Sequence, residues 1–322
     1  MSYGLTAVIN LNSDFRNALL LLNKKPGITS FEALNPVKKA LGSGKAGHTG
    51  TLDKFAGGLL VVLTGKALKL SSYFTNCGKR YEARVFFGSE TDTLDPEGNV
   101  TAQAPVPEKE AVEAVLSCFC GEITQIPPAF SAIHVNGKRA SQLARSGVPV
   151  EMKPRKVTIY EISLRRYEAP FAYLDVRCSA GTYIRALARD IAIAAGSRAH
   201  LACLTRTQSG AFLLGDALAV TPETAKEDIL NALRPIDGSV FEALDIPVRQ
   251  VDEGSAAAMR QGKPVNDIIP DTENFAPRRA AVFCGGDFIA LVENMLFEAG
   301  KSRQADRNCR RRFSDWRYGF VF

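Results

Sequence analysis

Six glycines fall between residues 42 and 58, at positions 42, 44, 47, 50, 57 and 58, and an unbroken apolar run, Leu59 to Leu63, follows directly. Glycine lets a backbone approach a neighbour closely or adopt positive φ. A short continuous apolar run bounded by turn signals reads as a buried strand. The chain must therefore seat a close-packed loop on an interior strand. The loop reads Lys45-Ala-Gly-His-Thr-Gly-Thr-Leu-Asp53, followed by Lys54-Phe-Ala-Gly-Gly58. It carries His48 and Asp53. A carboxylate held rigidly beside close backbone is a candidate nucleophile or general base. The plainer alternative is that Asp53 caps a turn and His48 only packs. The phosphate-cradling pattern GxxxxGK[ST] is absent.

The remaining pattern is mixed. Ala18 to Asn23 predicts a buried strand, and Thr29 or Ser30 caps a helix to about Leu41 with Phe31, Leu34 and Val37 on its apolar side. Pro36 sits inside that pattern. Lys66 to Phe74 predicts a helix, and Arg80 to Phe87 a strand that ends in Thr93-Leu-Asp-Pro-Glu-Gly. Pro107 to Phe119 predicts a helix with Val112, Val115, Leu116 and Phe119 on one face. Residues 124–152 contain three prolines and no sustained periodicity, which predicts a long functional loop. Val157 to Tyr167 and Ala172 to Ser179 read as paired strands. An amphipathic helix follows Gly181, with Ile184, Leu187, Ala188, Ile191 and Ala195 on one face and Arg185 and Arg189 on another. A break at Arg234-Pro235 leads to a small β-rich module with strands near Ala280 to Cys284 and Phe288 to Val292.

Length and composition narrow the class. The 322 residues suit two domains, and 46% hydrophobic with 23% charged residues excludes disordered and collagen-like chains. No apolar run is long enough to span a bilayer, and the N-terminus lacks signal-peptide character. A soluble, cytoplasmic protein is expected. The seven cysteines form no CxxC and the three histidines are far apart, so no metal is expected. The formal charge is +6, and Lys301 to Phe322 contributes seven bases against two acids. That tail, with Trp316, Tyr318, Phe320 and Phe322, suits a phosphate backbone; the alternative is a solvated arm ending in a strand from Trp316 to Phe322.

Several segments, in order, resemble the TruB family of tRNA pseudouridine synthases. GHTGTLDKFAGGLLVVLTGKALKL is similar to the family signature, and Asn23-Lys-Lys-Pro-Gly-Ile-Thr-Ser-Phe31 to its N-terminal motif. Lys79-Arg-Tyr81 is similar to its KxY motif, continued by Gly88-Ser-Glu-Thr-Asp-Thr93. Gln125-Ile-Pro-Pro-Ala-Phe-Ser-Ala132 with Asn136-Gly-Lys-Arg139 resembles its RNA-binding insertion. Cys178-Ser-Ala-Gly-Thr-Tyr-Ile-Arg185 resembles its arginine motif, and Ala199-His-Leu with Leu204-Thr-Arg-Thr207 closes the core. The resemblance covers roughly residues 18–220.

The resemblance implies an α+β fold with a mixed, largely antiparallel sheet, catalytic domain 1–235 and insertion 124–152. Residues 236–322 are then a small C-terminal β-rich, PUA-like domain with a basic tail from about 301. The implied reaction isomerises uridine 55 in the T arm of tRNA to pseudouridine, by a monomer without cofactor, metal or membrane. Asp53 is implied as the catalytic carboxylate, Arg185 as the group that holds it ionised, and Tyr81 as the ring that stacks on the flipped uracil. His48, Tyr183 and Leu204 are implied at the substrate, and Lys24, Lys138 and Arg139 at phosphates. Departures from the family pattern are Lys25, Lys54, His134 and Thr205. Three other readings stand beside this one: the guide-directed ribosomal RNA branch of the family, an RNA-binding or tRNA-folding protein that needs no turnover, and a glycoside hydrolase. The last needs a second acid opposite Asp53, with Asp92 or Asp95 as candidates.

Overall fold

The computed structural model describes residues 17–42, 44–135, 137–268, 278–295 and 316–322. The chain forms two compact units. One comprises Leu20–Val62 and Ser72–Ala232; the other gathers Leu63–Ser71, the described residues of Leu233–Phe322, and the start of the first strand to Leu19.

The first strand, β1 (Ala18–Lys24), is buried almost throughout, as its unbroken apolar run requires. A capping box follows: Thr29 Oγ1 accepts from the Glu32 backbone N–H, and Glu32 Oε2 accepts from that of Thr29, at 3.1 and 2.7 Å. A 3-10 turn then leads into helix α1 (Asn35–Leu41). Pro36 lies in the first helical turn, where its missing N–H costs nothing, so it starts the helix rather than breaking it. Phe31 does not join the core as its spacing predicts. It is exposed, with Lys38 Nζ 4.1 Å from its ring centroid.

Strand β2 (Gly57–Thr64) is buried at every position, because neighbours cover both of its faces. The stretch Lys66 to Phe74, predicted as one helix, is divided between a 3-10 segment (Gly65–Leu70) and a short α-helix (Ser71–Thr75). Strand β3 (Lys79–Phe87) alternates: Tyr81, Ala83, Val85 and Phe87 face the core, while Glu82 and Arg84 are exposed. A hairpin of β4 (Ser89–Thr91) and β5 (Val100–Gln103) encloses the turn predicted at Thr93. Next come α2 (Lys109–Leu116), β6 (Gly121–Gln125), α3 (Ala140–Arg145), β7 (Arg155–Glu168), β8 (Phe171–Cys178), α4 (Ile184–Ala194), β9 (Ala199–Ser209) and β10 (Leu218–Ala219).

The main sheet runs β10-β1-β2-β9-β3-β8-β7-β6. β9 lies parallel to β2, and β10 to β1; from β9 to β6 every pairing is antiparallel. This is the mixed, largely antiparallel sheet of an α+β protein. Helices α2 and α4 cover its inner face: Val112, Leu116, Ile184, Leu187, Ala188 and Ile191 pack against Ala83, Val85, Leu174, Val176 and Leu201. Each fully buried leucine or isoleucine here contributes about 1.5–3 kcal/mol. The insertion is not wholly irregular. It holds helix α3 and a short pairing of His134–Val135 with Lys138–Arg139, both too brief to register as periodicity.

In the second unit, β11 (Val248–Gln250), β12 (Arg279–Cys284), β13 (Asp287–Asn294) and β14 (Trp316–Val321) form one sheet in that order. A helix, α5 (Glu253–Arg260), lies between β11 and β12 in sequence, and Asp252 Oδ1 caps it by accepting from Ser255 N–H at 2.8 Å. Met259, Val265, Val282, Ile289, Val292 and Trp316 form the core. The basic stretch Lys301 to Arg312 lies outside the described residues. Among the described residues, no helix is long and apolar enough to cross a membrane.

Candidate active site

The loop that carries Asp53 is fastened on both sides. Before it, Ser30 Oγ accepts from Leu52 N–H at 2.8 Å and donates to Leu52 O at 2.9 Å, and Thr49 N–H donates to Val61 O at 3.0 Å. After it, Lys54 O accepts from Gly27 N–H at 2.8 Å. Arg206, on β9, spans the loop and its strand, donating from Nη2 to Gly50 O (3.0 Å) and from Nε to Leu59 O (2.7 Å). Gly58, at φ 99°, passes so close to Arg206 that a β-carbon there would stand 2.4 Å from its carbonyl oxygen. Only glycine fits that crossing.

Asp53 meets Arg185 at the start of α4. Arg185 Nη2 donates to Asp53 Oδ1 at 3.2 Å, and Nε stands 2.9 Å from Oδ2 without hydrogen-bond alignment. The helical pattern had set Arg185 on a face away from the core, yet its side chain is 4% exposed. What makes that burial tolerable is its partners. Nη1 donates to Thr93 O (2.6 Å) and to Asp95 Oδ2 (3.3 Å), and Nη2 also donates to Phe130 O of the insertion (2.9 Å). A buried guanidinium needs such compensation.

Asp53 keeps 38% of its side-chain surface open, so a molecule from solvent can reach its carboxylate. Burial among its dense surroundings nevertheless pushes its carboxyl above the ordinary aspartate range; Arg185 opposes that shift and Asp95 adds to it.

Tyr81 is buried on β3, opposite Arg206 of β9, while Leu204 lies opposite Ala83. Burial pushes the Tyr81 phenol up, against the pull of the Arg206 guanidinium. Burial and then Arg206 hold His48 below the usual histidine range, so its imidazole is neutral at pH 7, and its buried Nδ1 finds no partner among the described residues. Tyr183 immediately precedes α4. Buried Gln125 grips its backbone, accepting from Tyr183 N–H at 2.8 Å and donating to Tyr183 O at 3.1 Å.

Lys138 and Arg139 are exposed on the short pairing of the insertion. Lys24 is placed otherwise than a phosphate contact requires. It is 1% exposed, and its ammonium donates to Ile28 O (2.6 Å), Lys25 O (3.1 Å) and Lys54 O (3.4 Å), so it ties the N-terminal turn to the Asp53 loop. Among the departures, Lys54 pairs with Glu97 at 3.8 Å, and Thr205 lines a cavity of about 600 Å³ with Glu82 and Arg84 on the sheet face opposite Tyr81.

The second carboxylate at Arg185 is Asp95, which the sequence offered only as a hydrolase acid. It is 5% exposed, engaged by Arg185, and bonded through Oδ1 to Thr93 Oγ1 and Glu97 N–H. Asp92 Oδ1 accepts from Asn99 N–H within the same turn. Asp95 is thus committed to Arg185 and to its own turn, and is not free to serve as the second acid of a hydrolase. The Thr-x-Thr-x-Asp spacing of residues 91–95 was the signal for this turn, since each short polar side chain can bond local backbone.

Comparison with known proteins agrees with this geometry. Residues 38–184 match the model of the TruB family pseudouridylate synthase N-terminal domain. A "tRNA pseudouridine synthase B" of Thiobacillus denitrificans is 43% identical over 294 residues, 88% of this chain and 93% of that protein. The protein of the same name from Azoarcus sp. is 40% identical over 283 residues, covering 86% and 91%. The crystal structure of a Cbf5-Nop10-Gar1 complex superposes with a TM-score of 0.66 over 96% of this chain and 85% of that one, at 24% identity, a likeness of fold. The family model and these relatives make the chain a pseudouridine synthase, an isomerase. The chain belongs to the TruB family.

Proposed function

We propose that this chain converts uridine 55 in the T-arm loop of tRNA to pseudouridine. The observation that carries the reading is the Asp53–Arg185 pair, with Tyr81 near enough to feel the Asp53 charge, together with relatives named for tRNA pseudouridine synthesis. The reaction breaks the bond from ribose C1′ to N1 of the uracil and forms a bond from C1′ to C5. The proton on C5 is lost and N1 gains one, so atoms and electrons balance without a cofactor. A stacked uridine is out of reach, so the nucleotide must be flipped into the site. Asp53 begins the break by attacking the sugar or the base or by taking a ribose proton, and each route requires the ionised carboxylate that Arg185 orients. Tyr81 stacks on the turned-out uracil, a contact of about 1–3 kcal/mol. His48, Tyr183 and Leu204 wall the substrate.

Lys138 and Arg139 meet phosphates of the T arm. Residues 236–322, as a PUA-like module with the basic tail, add further RNA contact, and the protein acts as a cytoplasmic monomer. Pseudouridine mapping on unmodified tRNA transcript tests the reading. One modified site in the T loop, lost in Asp53→Asn, is the expected result. Tight binding with no modified uridine would instead favour an RNA-folding role or a ribosomal RNA substrate.

A further inference from the structure

Among the described residues, only Leu94 and Asp245 carry positive φ without being glycine, at 60° and 56°. Aspartate reaches the left-handed region with help from its own short polar side chain; leucine has none, and its β-carbon crowds the following carbonyl. A leucine held there marks a backbone that its surroundings over-determine.

Those surroundings are dense. Leu94 N–H donates to Thr91 O at 3.1 Å, and Leu94 O accepts from Leu201 N–H at 3.1 Å. Thr91 Oγ1 donates to Asp95 O (2.8 Å) and accepts from Asp95 N–H (3.1 Å), bracketing Leu94. Thr93 Oγ1 donates to Asp95 Oδ1 at 2.6 Å. Gly98 closes the turn so tightly that a β-carbon there would stand 2.3 Å from both Asp92 Oδ1 and Thr93 Oγ1. The Leu94 side chain itself is buried.

The residues on either side of Leu94 are the two that hold one nitrogen of the active-site arginine. Thr93 O and Asp95 Oδ2 both accept from Arg185 Nη1, at 2.6 and 3.3 Å. The same guanidinium meets Asp53 through its other nitrogens. We propose that Leu94 is a positioning residue for the isomerisation: its left-handed backbone folds Thr93 O and the Asp95 carboxylate onto Arg185 Nη1, and so fixes the angle at which Arg185 presents itself to Asp53. The inference rests on the reading of Asp53 as the reacting carboxylate.

Three variants test it. Leu94→Gly loses the side chain and also the strain. Leu94→Ala keeps the straining β-carbon but loses the packing that holds it in place. Leu94→Val adds a branch that the left-handed region rejects. Steady-state kinetics on tRNA transcript should give a kcat within about threefold of the parent for glycine, about tenfold lower for alanine and about a hundredfold lower for valine. KM should stay within about twofold throughout. The acid limb of kcat against pH should move to lower pH in the alanine and valine variants, because withdrawal of Asp95 removes its repulsion of the Asp53 carboxylate. Equal kcat and an unmoved acid limb in glycine and alanine, with only melting temperatures changed, would overturn the proposal; that pair decides even where valine prevents folding. An Asp53→Asn variant that still turns over would instead overturn the reading beneath it.

Discussion

Arg185 shares one guanidinium between two carboxylates: Asp53 Oδ1 lies 3.2 Å from Nη2, and Asp95 Oδ2 lies 3.3 Å from Nη1. The first carboxylate is open to a substrate and the second is sealed. Asp95 thus takes up part of a positive charge that would otherwise act on Asp53 alone, and it fixes the plane in which the guanidinium lies.

Replacing Arg185 by lysine keeps the charge but loses the fork. A single ammonium cannot meet Asp53, Asp95, Thr93 O and Phe130 O together. Single-turnover rates on tRNA transcript should fall by about a hundredfold, while tRNA affinity stays within about threefold.

The acid limb of kcat/KM should lie above the ordinary aspartate value of 3.8, since burial holds the Asp53 proton to higher pH and every route needs the ionised form. The rate rises with pH through that midpoint. Asp95→Asn removes one contribution that raises the Asp53 carboxyl, so its acid limb should sit at lower pH than the parent's, with a lower plateau because Arg185 loses an anchor. A pH–rate profile of both proteins reads the sign directly.

Lys24 predicts a signature in stability. Burial lowers its ammonium from 10.5 to about 8, against the favourable pull of Asp53. Between those values the unfolded chain binds more protons than the folded one, so this group makes folding more favourable as pH rises from about 8 to 10.5. Lys24→Met should unfold more easily at pH 7 by about 2–4 kcal/mol, because three carbonyls lose a charged donor. The gap between the two proteins should widen across that pH window, as read by urea unfolding.

Lys138 and Arg139 stand exposed on the insertion, outside the Arg185 network. Replacing both by alanine should raise KM and leave kcat unchanged. It should also lower the salt slope of tRNA affinity by about one to two, the release expected for two phosphate contacts. An unchanged slope would show that neither side chain meets phosphate.

Much of this protein is local in origin. The unbroken apolar run of β2, the alternation of β3, the capping box before α1 and the apolar stripe of α4 each follow from neighbouring residues, because backbone geometry sets a period of two or of 3.6. The glycines around Asp53 likewise announced a close approach, and the structure supplies the approaching group in Arg206. Local pattern misplaced Phe31 and Arg185, and the phosphate contact that the family resemblance implied for Lys24 missed its burial, each for a similar reason. Spacing records which face a side chain starts from, not what the rest of the chain brings to meet it. Phe31 has helical spacing, but the covering layer stops short of it. Arg185 and Lys24 are charged, which by itself predicts solvent. Only the fold sets Asp53, Asp95, Thr93 O and Phe130 O around the first, and three carbonyls around the second. A charge is buried where partners from distant segments converge, and that convergence is a property of tertiary structure alone.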